Sequence, residues 1–251
     1  MLIPRSVHAH LVERFIFNFR MRPEVLKSHL PVCSLQPQVI QGWSVVSFCL
    51  LKLDHVMLSP LPAWPGLKTI SCAYRCGVID TSGAVPEPAV YVLERYTDCM
   101  LISHLDPWIF LDSMPQVRST LRLEGAARTM HVYHRELGPV FAASVEPSVN
   151  PQKLDSQVFD SLAAFTHFMQ QGVISYTPAT SENRLSRVDL QKKDTHYEVL
   201  NATVLHNSLN ACWPEAGLIF DSAIRATGGV YKWTYRGLVE RGCSHVWAGE
   251  K

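Results

Sequence analysis

The sequence predicts a mainly β (α+β) protein in which one domain spans residues 1–251. Most of its apolar segments alternate with polar residues at a period of two, which is the pattern of a half-buried strand. Turn residues separate these segments at short intervals, and only two segments carry helical signals. Many short strands at regular spacing favour a closed or nearly closed sheet, so we expect a single-domain antiparallel β-barrel with a few short helices.

The alternating segments give the predicted strands in chain order. We expect strands at residues 8–19, 43–55, 69–79, 89–96, 118–123, 127–136, 185–190, 196–205 and 230–235, with polar turns at 80–83 and 191–194. The segment 69–79 alternates most clearly, because Cys72, Tyr74 and Cys76 share one face. Residues four apart in a strand lie about 13 Å apart, so Cys72 and Cys76 cannot share a metal ion.

Two segments predict helices. Pro23 stands at the start of the first, over residues 23–30, and Pro31 ends it. The second covers residues 160–171, where apolar residues recur at helical spacing and Gly172 provides a stop. Such an apolar stripe is typical of core packing, so we expect both helices to have a structural role.

The composition excludes several classes of partner. Lys and Arg number 23 against 22 Asp and Glu, so the chain shows no electrostatic footprint for nucleic acid or anionic lipid. The apolar run 43–51 is too short to span a bilayer, and charged residues interrupt any signal peptide near the start. We therefore expect a soluble cytoplasmic protein without a nucleic-acid or membrane partner, its seven cysteines mostly reduced. Assembly into a homo-oligomer stays open.

Common catalytic and cofactor motifs are absent from the sequence. It contains no G-x-S-x-G, G-x-G-x-x-G, phosphate-binding loop or H-E-x-x-H segment. His8 and His10 share one face of the first strand, about 6.6 Å apart, which would suit a metal ion. Because the pair lies near a terminus without an acidic residue nearby in sequence, a solvated pair is favoured. We expect neither a metal nor a cofactor.

Several segments together resemble acetoacetate decarboxylase. Residues 15–31 look like the entry strand, short helix and proline of that family. Residues 74–76 match its Tyr-x-Glu strand, and residues 114–117 match its aromatic-Pro-Lys-Lys motif. The runs 161–165 and 187–190 are similar to uncharacterised proteins thought to share the fold. The resemblance implies an acetoacetate decarboxylase-like β-barrel that encloses a mainly apolar cavity.

The chemistry of that family is missing at the matching positions. The decarboxylase uses a lysine amine to form an imine with its substrate, and its pKa is lowered by an apolar setting and a nearby cation. Gln116 and Val117 stand at the two lysine positions, and Cys76 stands at the acid. An amide cannot form an imine. We expect the other lysines to be solvated, Lys52 at a strand end and the pair 192–193 in a polar turn.

Two functions from different classes follow. In the first, the cavity binds a small apolar or weakly polar molecule with a carbonyl or carboxylate group, without imine-forming decarboxylation. In the alternative, a small-molecule lyase or hydrolase uses the same cavity with acid and base residues other than lysine. An arginine would hold a carboxylate, a carboxylate or imidazole would move a proton, and an amide would polarise a carbonyl. The candidates for the cavity are Arg75, Cys76, Glu94, His104, Gln116 and Arg118.

Overall fold

A computed structural model describes residues 5–59, 66–193 and 195–240. Within those ranges the chain forms a single sheet of thirteen strands with four α-helices. The strands are β1 (Ser6–Met21), β2 (Leu35–Pro37), β3 (Ser44–Ser59), β4 (Leu67–Asp80), β5 (Glu87–Thr97), β6 (Val117–Glu124), β7 (Ala127–His134), β8 (Gly138–Pro147), β9 (Ile174–Pro178), β10 (Arg184–Lys193), β11 (His196–Asn207), β12 (Ile219–Thr227) and β13 (Val230–Glu240). The helices are α1 (Pro23–His29), α2 (Met100–Ile109), α3 (Leu162–Gln171) and α4 (Leu209–Cys212).

Strand pairing closes part of the sheet into a ring. The order β1-β3-β4-β5-β9-β10-β13 returns to β1, because β13 also pairs with β1. The contact between β5 and β9 is parallel, whereas the other contacts of the ring are antiparallel. The remaining long strands continue outward from β1 in the order β12-β11-β8-β7-β6, a part we call the wing. The expected mainly β fold with a few short helices is confirmed. Its closed part is a seven-stranded ring that has one parallel contact and carries the wing.

The wing packs against the outer face of the ring, and an apolar core lies between the two. Phe48 of β3 stacks on Phe141 of β8 with ring centroids 4.0 Å apart, and Tyr74 packs against Phe48. Cys72 and Cys76 belong to this same core, so they share one face of β4 as predicted. Each long ring strand thus has two apolar environments, and alternation alone cannot tell which face points into the ring.

The predicted helices are confirmed as α1 and α3. Proline stands at the start of α1, and the Ala164 N–H donates to the Ser161 hydroxyl at 3.1 Å to cap α3. The apolar stripe of α3 packs on the ring strands through Phe165 and Met169, as expected for a core helix. Among the residues described, no helix is both long enough and apolar enough to cross a bilayer.

The structure contains several elements that the sequence patterns did not predict. Every predicted strand overlaps an observed one, but β2, β8, β9 and β12 were not predicted. Prolines are typical of loops, but Pro139 and Pro147 lie at the two ends of β8, where a missing N–H is tolerated. Helix α2 has no side-chain cap and contains Pro107, so it lacks the usual start and stop signals. Five described cysteines are free thiols, in line with the expectation of mostly reduced cysteines, whereas Cys33 is disulfide-bonded.

Candidate functional site

A cavity of about 230 Å³ lies inside the ring, and α2 covers part of it. Its wall is mostly aliphatic, since alternate residues of the ring strands point inward. Leu51 on β3, Val92 on β5 and Leu190 on β10 contribute from the sheet, while Ile102 and Leu105 contribute from α2. The few charged residues in this wall are Arg14, Arg75, Arg95 and Asp106. An apolar cavity with a few polar groups is the usual form of a small-molecule site.

Arg95 bridges the side chains of two buried aspartates. Its Nη2 donates to both Asp106 of α2 and Asp112 in the segment that follows. The two carboxylate side chains are only 3% and 0% exposed. Burial, together with the nearby charge of Asp106 and against the attraction of Arg95, raises the pKa of Asp112 to about 8. One arginine and two buried aspartates therefore fasten α2 over the cavity, and burial favours a proton on Asp112.

Arg14 is fully buried but has no carboxylate partner among the described residues. Its Nη2 donates to the Cys49 sulfur at 3.4 Å, and its Nε makes no hydrogen bond in the described structure. The hydroxyl group of Tyr231, another residue of the cavity wall, is also buried without a hydrogen bond there. Arg14 is thus held by weak polar neighbours and keeps its full positive charge.

Arg75 is the cavity arginine whose side chain forms neither a hydrogen bond nor an ion pair with any residue that the structure describes. It lies on β4 beside Thr69, Ser71 and Ala73, whose alternation directs all four towards the ring interior. A guanidinium offers five N–H donors in a flat fork that matches a carboxylate. This arginine is therefore available to an anionic group of a ligand.

The other sequence candidates do not line this cavity. Cys76 lies in the core between ring and wing, where burial raises the pKa of its thiol to about 12. Glu94 accepts a hydrogen bond from the Tyr96 hydroxyl at 2.7 Å, on the strand face opposite Arg95. His104, Gln116 and Arg118 are exposed. Of the six candidates, the structure brings only Arg75 into the main cavity.

Gln116 shows why the motif positions fail to predict the cavity. Its backbone forms an isolated bridge with Thr97, and its Nε2 donates to the Asp98 carbonyl at 3.3 Å. The side chain is exposed, so position 116 is not a dry site in this chain. The amide at 116 therefore has no access to a ligand in the main cavity.

Lys192 is the notable residue that the sequence patterns misplaced. The turn predicted at 191–194 is wrong for its first three residues, because β10 runs on through Lys193. Lys192 follows Val188 and Leu190 on the inner face of the ring, and its Nζ donates to the Met169 carbonyl of α3. Burial and the nearby charge of Arg14 lower the pKa of Lys192 to about 7. The alternation of Val188, Leu190 and Lys192 is the signal that would have found it.

Comparison with known proteins agrees with this architecture. No protein-family model matches the sequence, and no curated protein matches it either. Acetoacetate decarboxylase from Legionella pneumophila is similar in structure, with 12% sequence identity and a TM-score of 0.63, over 94% of this chain and 87% of that one. The chain has the acetoacetate decarboxylase fold. The fold implied by the sequence resemblance is thus confirmed.

Two further solved structures share the acetoacetate decarboxylase fold. The enduracididine biosynthesis enzyme MppR, complexed with pyruvate, has 12% identity and a TM-score of 0.55, over 96% of this chain and 91% of that one. An acetoacetate decarboxylase-like enzyme from Sphingomonas wittichii RW1 has 12% identity and a TM-score of 0.57, over 94% and 92%. At this level of identity the fold is what is shared, so the roles of residues must come from this chain's own geometry.

Proposed function

We propose that the ring cavity binds a small organic molecule that carries a carboxylate on an apolar body. The observation that carries this proposal is the unpaired guanidinium of Arg75 in a mostly aliphatic cavity. Arg75 is only partly exposed, and a charged group that is partly removed from water is stabilised when an opposite charge meets it. A bidentate pair with a carboxylate would neutralise Arg75, while the aliphatic wall would bury the rest of the ligand.

The other two cavity arginines are less suited to anchor the carboxylate. Arg95 already shares its charge with Asp106 and Asp112. Arg14 donates to Cys49 and lies against Tyr231, so it would add electrostatic attraction for an anion in the cavity. The fold neighbours favour the same ligand class: MppR is complexed with pyruvate, and acetoacetate decarboxylase is named for acetoacetate. Both molecules are small carboxylates that carry a carbonyl group.

We expect binding to depend on Arg75 and on the ligand's carboxylate. Calorimetry would compare pyruvate, 2-oxobutanoate and 4-methyl-2-oxopentanoate with the neutral ketone 4-methyl-2-pentanone. Arg75→Met should weaken binding of the acids roughly 10–100-fold, the loss of one charge-assisted hydrogen-bonded pair. Arg118→Met is the matched control, because Arg118 is exposed and outside the cavity. The proposal would be contradicted if the neutral ketone bound as tightly as the acids. It would also be contradicted if Arg75→Met bound the acids as tightly as the natural protein does.

We also propose that the ligand is bound without forming an imine. None of the described residues that line the cavity is a lysine, and position 116 carries an amide. Incubation with acetoacetate and borohydride should leave the mass of the protein unchanged, because no imine is present to be reduced. Mass spectrometry with peptide mapping checks this expectation. An adduct on Lys192 would show instead that this low-pKa amine reaches the ligand, and it would overturn the non-covalent mode.

A lyase or hydrolase is the second candidate, and the carboxyl group of Asp112 favours it. An acid that keeps its proton to about pH 8, next to the cavity-wall residues Arg95 and Asp106, is suited to general-acid chemistry on a ligand in the cavity. Turnover would distinguish the two functions, since a binding protein leaves the 2-oxo acid unchanged in a proton NMR time course. Conversion that is lost in Asp112→Asn would favour the enzyme.

The cellular setting is likewise proposed. We propose a cytoplasmic protein, on the balanced charge and on the free thiols of Cys49, Cys72, Cys76, Cys99 and Cys212. The disulfide at Cys33 is the observation that speaks against a reducing compartment. Self-association stays a prediction, which light scattering on the purified chain would test.

A further inference from the structure

Two histidines and an aspartate form a cluster on neighbouring strands, outside the ring cavity. His10 lies on β1, and Asp54 and His55 lie on β3. One ligand atom from each of the three residues lies within 4.8 Å of the other two. The Oδ1 of Asp54 is 3.0 Å from Nδ1 of His55 and 3.9 Å from Nδ1 of His10. One carboxylate oxygen thus faces both imidazoles.

The pairing of β1 with β3 places an acidic residue, Asp54, beside His10, although the two are far apart in the sequence. His10 pairs directly with Asp54, more than forty positions away in the chain. Consecutive residues of a regular strand point to opposite faces, so Asp54 and His55 would normally diverge. The pairing of β3 with β4 is irregular between Leu53 and Val56, and this irregularity turns the imidazole of His55 towards Asp54.

The backbone at His55 adopts an unusual conformation. Its φ is 49°, in the left-handed region that costs about 1–2 kcal/mol for a residue with a Cβ. Gly66 packs against it so closely that a Cβ at position 66 would lie 2.2 Å from the His55 Cα. Backbone outliers of this kind persist where the surroundings enforce them, often at functional sites. Both features hold one imidazole beside Asp54 and within reach of His10.

We propose that His10, Asp54 and His55 bind a divalent transition-metal ion of the zinc type. Two imidazoles and one carboxylate suit zinc and its neighbours, whereas magnesium and calcium prefer oxygen ligands. Ligands about 2.0–2.2 Å from one metal lie about 3.0–3.5 Å from each other, a spacing that Asp54 and His55 already have. His10 is exposed and needs to move only slightly.

The surroundings of the cluster set the strength and character of the site. Lys68 lies near enough to Asp54 to interact with its charge, so the metal competes with one fixed cation. Both histidines are exposed, and water has free access to the ion. Three protein ligands leave at least one coordination position for water or an external ligand. The site is therefore an accessible surface site, separate from the carboxylate pocket at Arg75.

Calorimetric titration of Zn²⁺ into the full chain at pH 7.5 tests the proposal. We expect one ion per chain, with His10→Ala and His55→Asn each weakening the affinity about tenfold or more. Asparagine is chosen at position 55 because it tolerates the left-handed conformation, so the irregular pairing between Leu53 and Val56 should be kept. His8→Ala is the matched control: His8 lies two residues from His10 on β1 but outside the cluster.

Three results would overturn the site. Unchanged affinity in His55→Asn would mean that β3 does not supply a ligand. A loss in His8→Ala as large as in His10→Ala would place the ion on β1 alone, between His8 and His10. Failure of the natural chain to bind Zn²⁺, or equal binding of Mg²⁺, would show that Asp54 merely pairs with its two neighbouring imidazoles.

Discussion

Arg95→Met is expected to lower the free energy of unfolding by about 3–5 kcal/mol, because it removes one partner from a buried ionic group. The variant leaves Asp106 and Asp112 inside the protein without the guanidinium that bridges them. It also removes the link between β5 and the end of α2. Urea denaturation at pH 8 would measure the loss. Arg236→Met is the control, since Arg236 pairs with Asp189 at 2.6 Å but is half exposed; its loss should cost about 1 kcal/mol or less.

The same group makes stability depend on pH in a defined direction. Burial raises the pKa of Asp112 from 3.8 to about 8 in the folded protein. Between about pH 4 and pH 8 the folded chain therefore holds a proton that the unfolded chain has released, so this group's contribution to the unfolding free energy falls as pH rises. Asp112→Asn should remove that slope. Identical pH dependence in the natural protein and in Asp112→Asn would contradict the raised pKa of Asp112.

Local signals explain what the sequence could predict. The prolines around 23–31 and the cap at Ser161 act within a few residues, so α1 and α3 follow from the sequence alone. Period-two alternation likewise locates most strands, because each half-buried strand carries its own pattern. The resemblance to acetoacetate decarboxylase rests on these same spacings, which is why the fold could be predicted while the site could not.

The site depends on which strand face points into the ring, and alternation does not contain that information. Arg75 and Cys76 are neighbours on β4, yet one faces the cavity and the other the wing. From the sequence one can infer only that the side chains of Glu94 and Arg95 point to opposite faces of β5. The pairing of β5 with β4 in the folded sheet is what directs Arg95, and not Glu94, into the cavity. The inward position of Lys192 was not predicted, because the polar composition of 191–194 indicated a turn although the alternation of β10 continues through these residues.

Lys192 is expected to lose its proton near pH 7, far below an ordinary lysine at about 10.4. Burial beneath α3 penalises the ammonium, and the charge of Arg14 adds to that penalty. NMR titration of ¹³Cε-labelled lysine would show one signal moving near neutral pH. That signal should disappear in Lys192→Met and remain in Lys193→Met, because Lys193 is the exposed neighbour on the same strand.

The low pKa of Lys192 should also make the unfolding free energy depend on pH, in the direction opposite to the effect of Asp112. Between pH 7 and 10.5 the unfolded chain keeps a proton that folded Lys192 has lost, so the unfolding free energy rises with pH by up to about 1.4 kcal/mol per pH unit. Lys192→Met should abolish that rise. Arg14→Met separates the two causes: without the neighbouring cation the pKa of Lys192 should increase but stay below 10.5, because burial remains. A lysine signal that titrates near 10.4 in the natural protein would show that Lys192 is solvated after all.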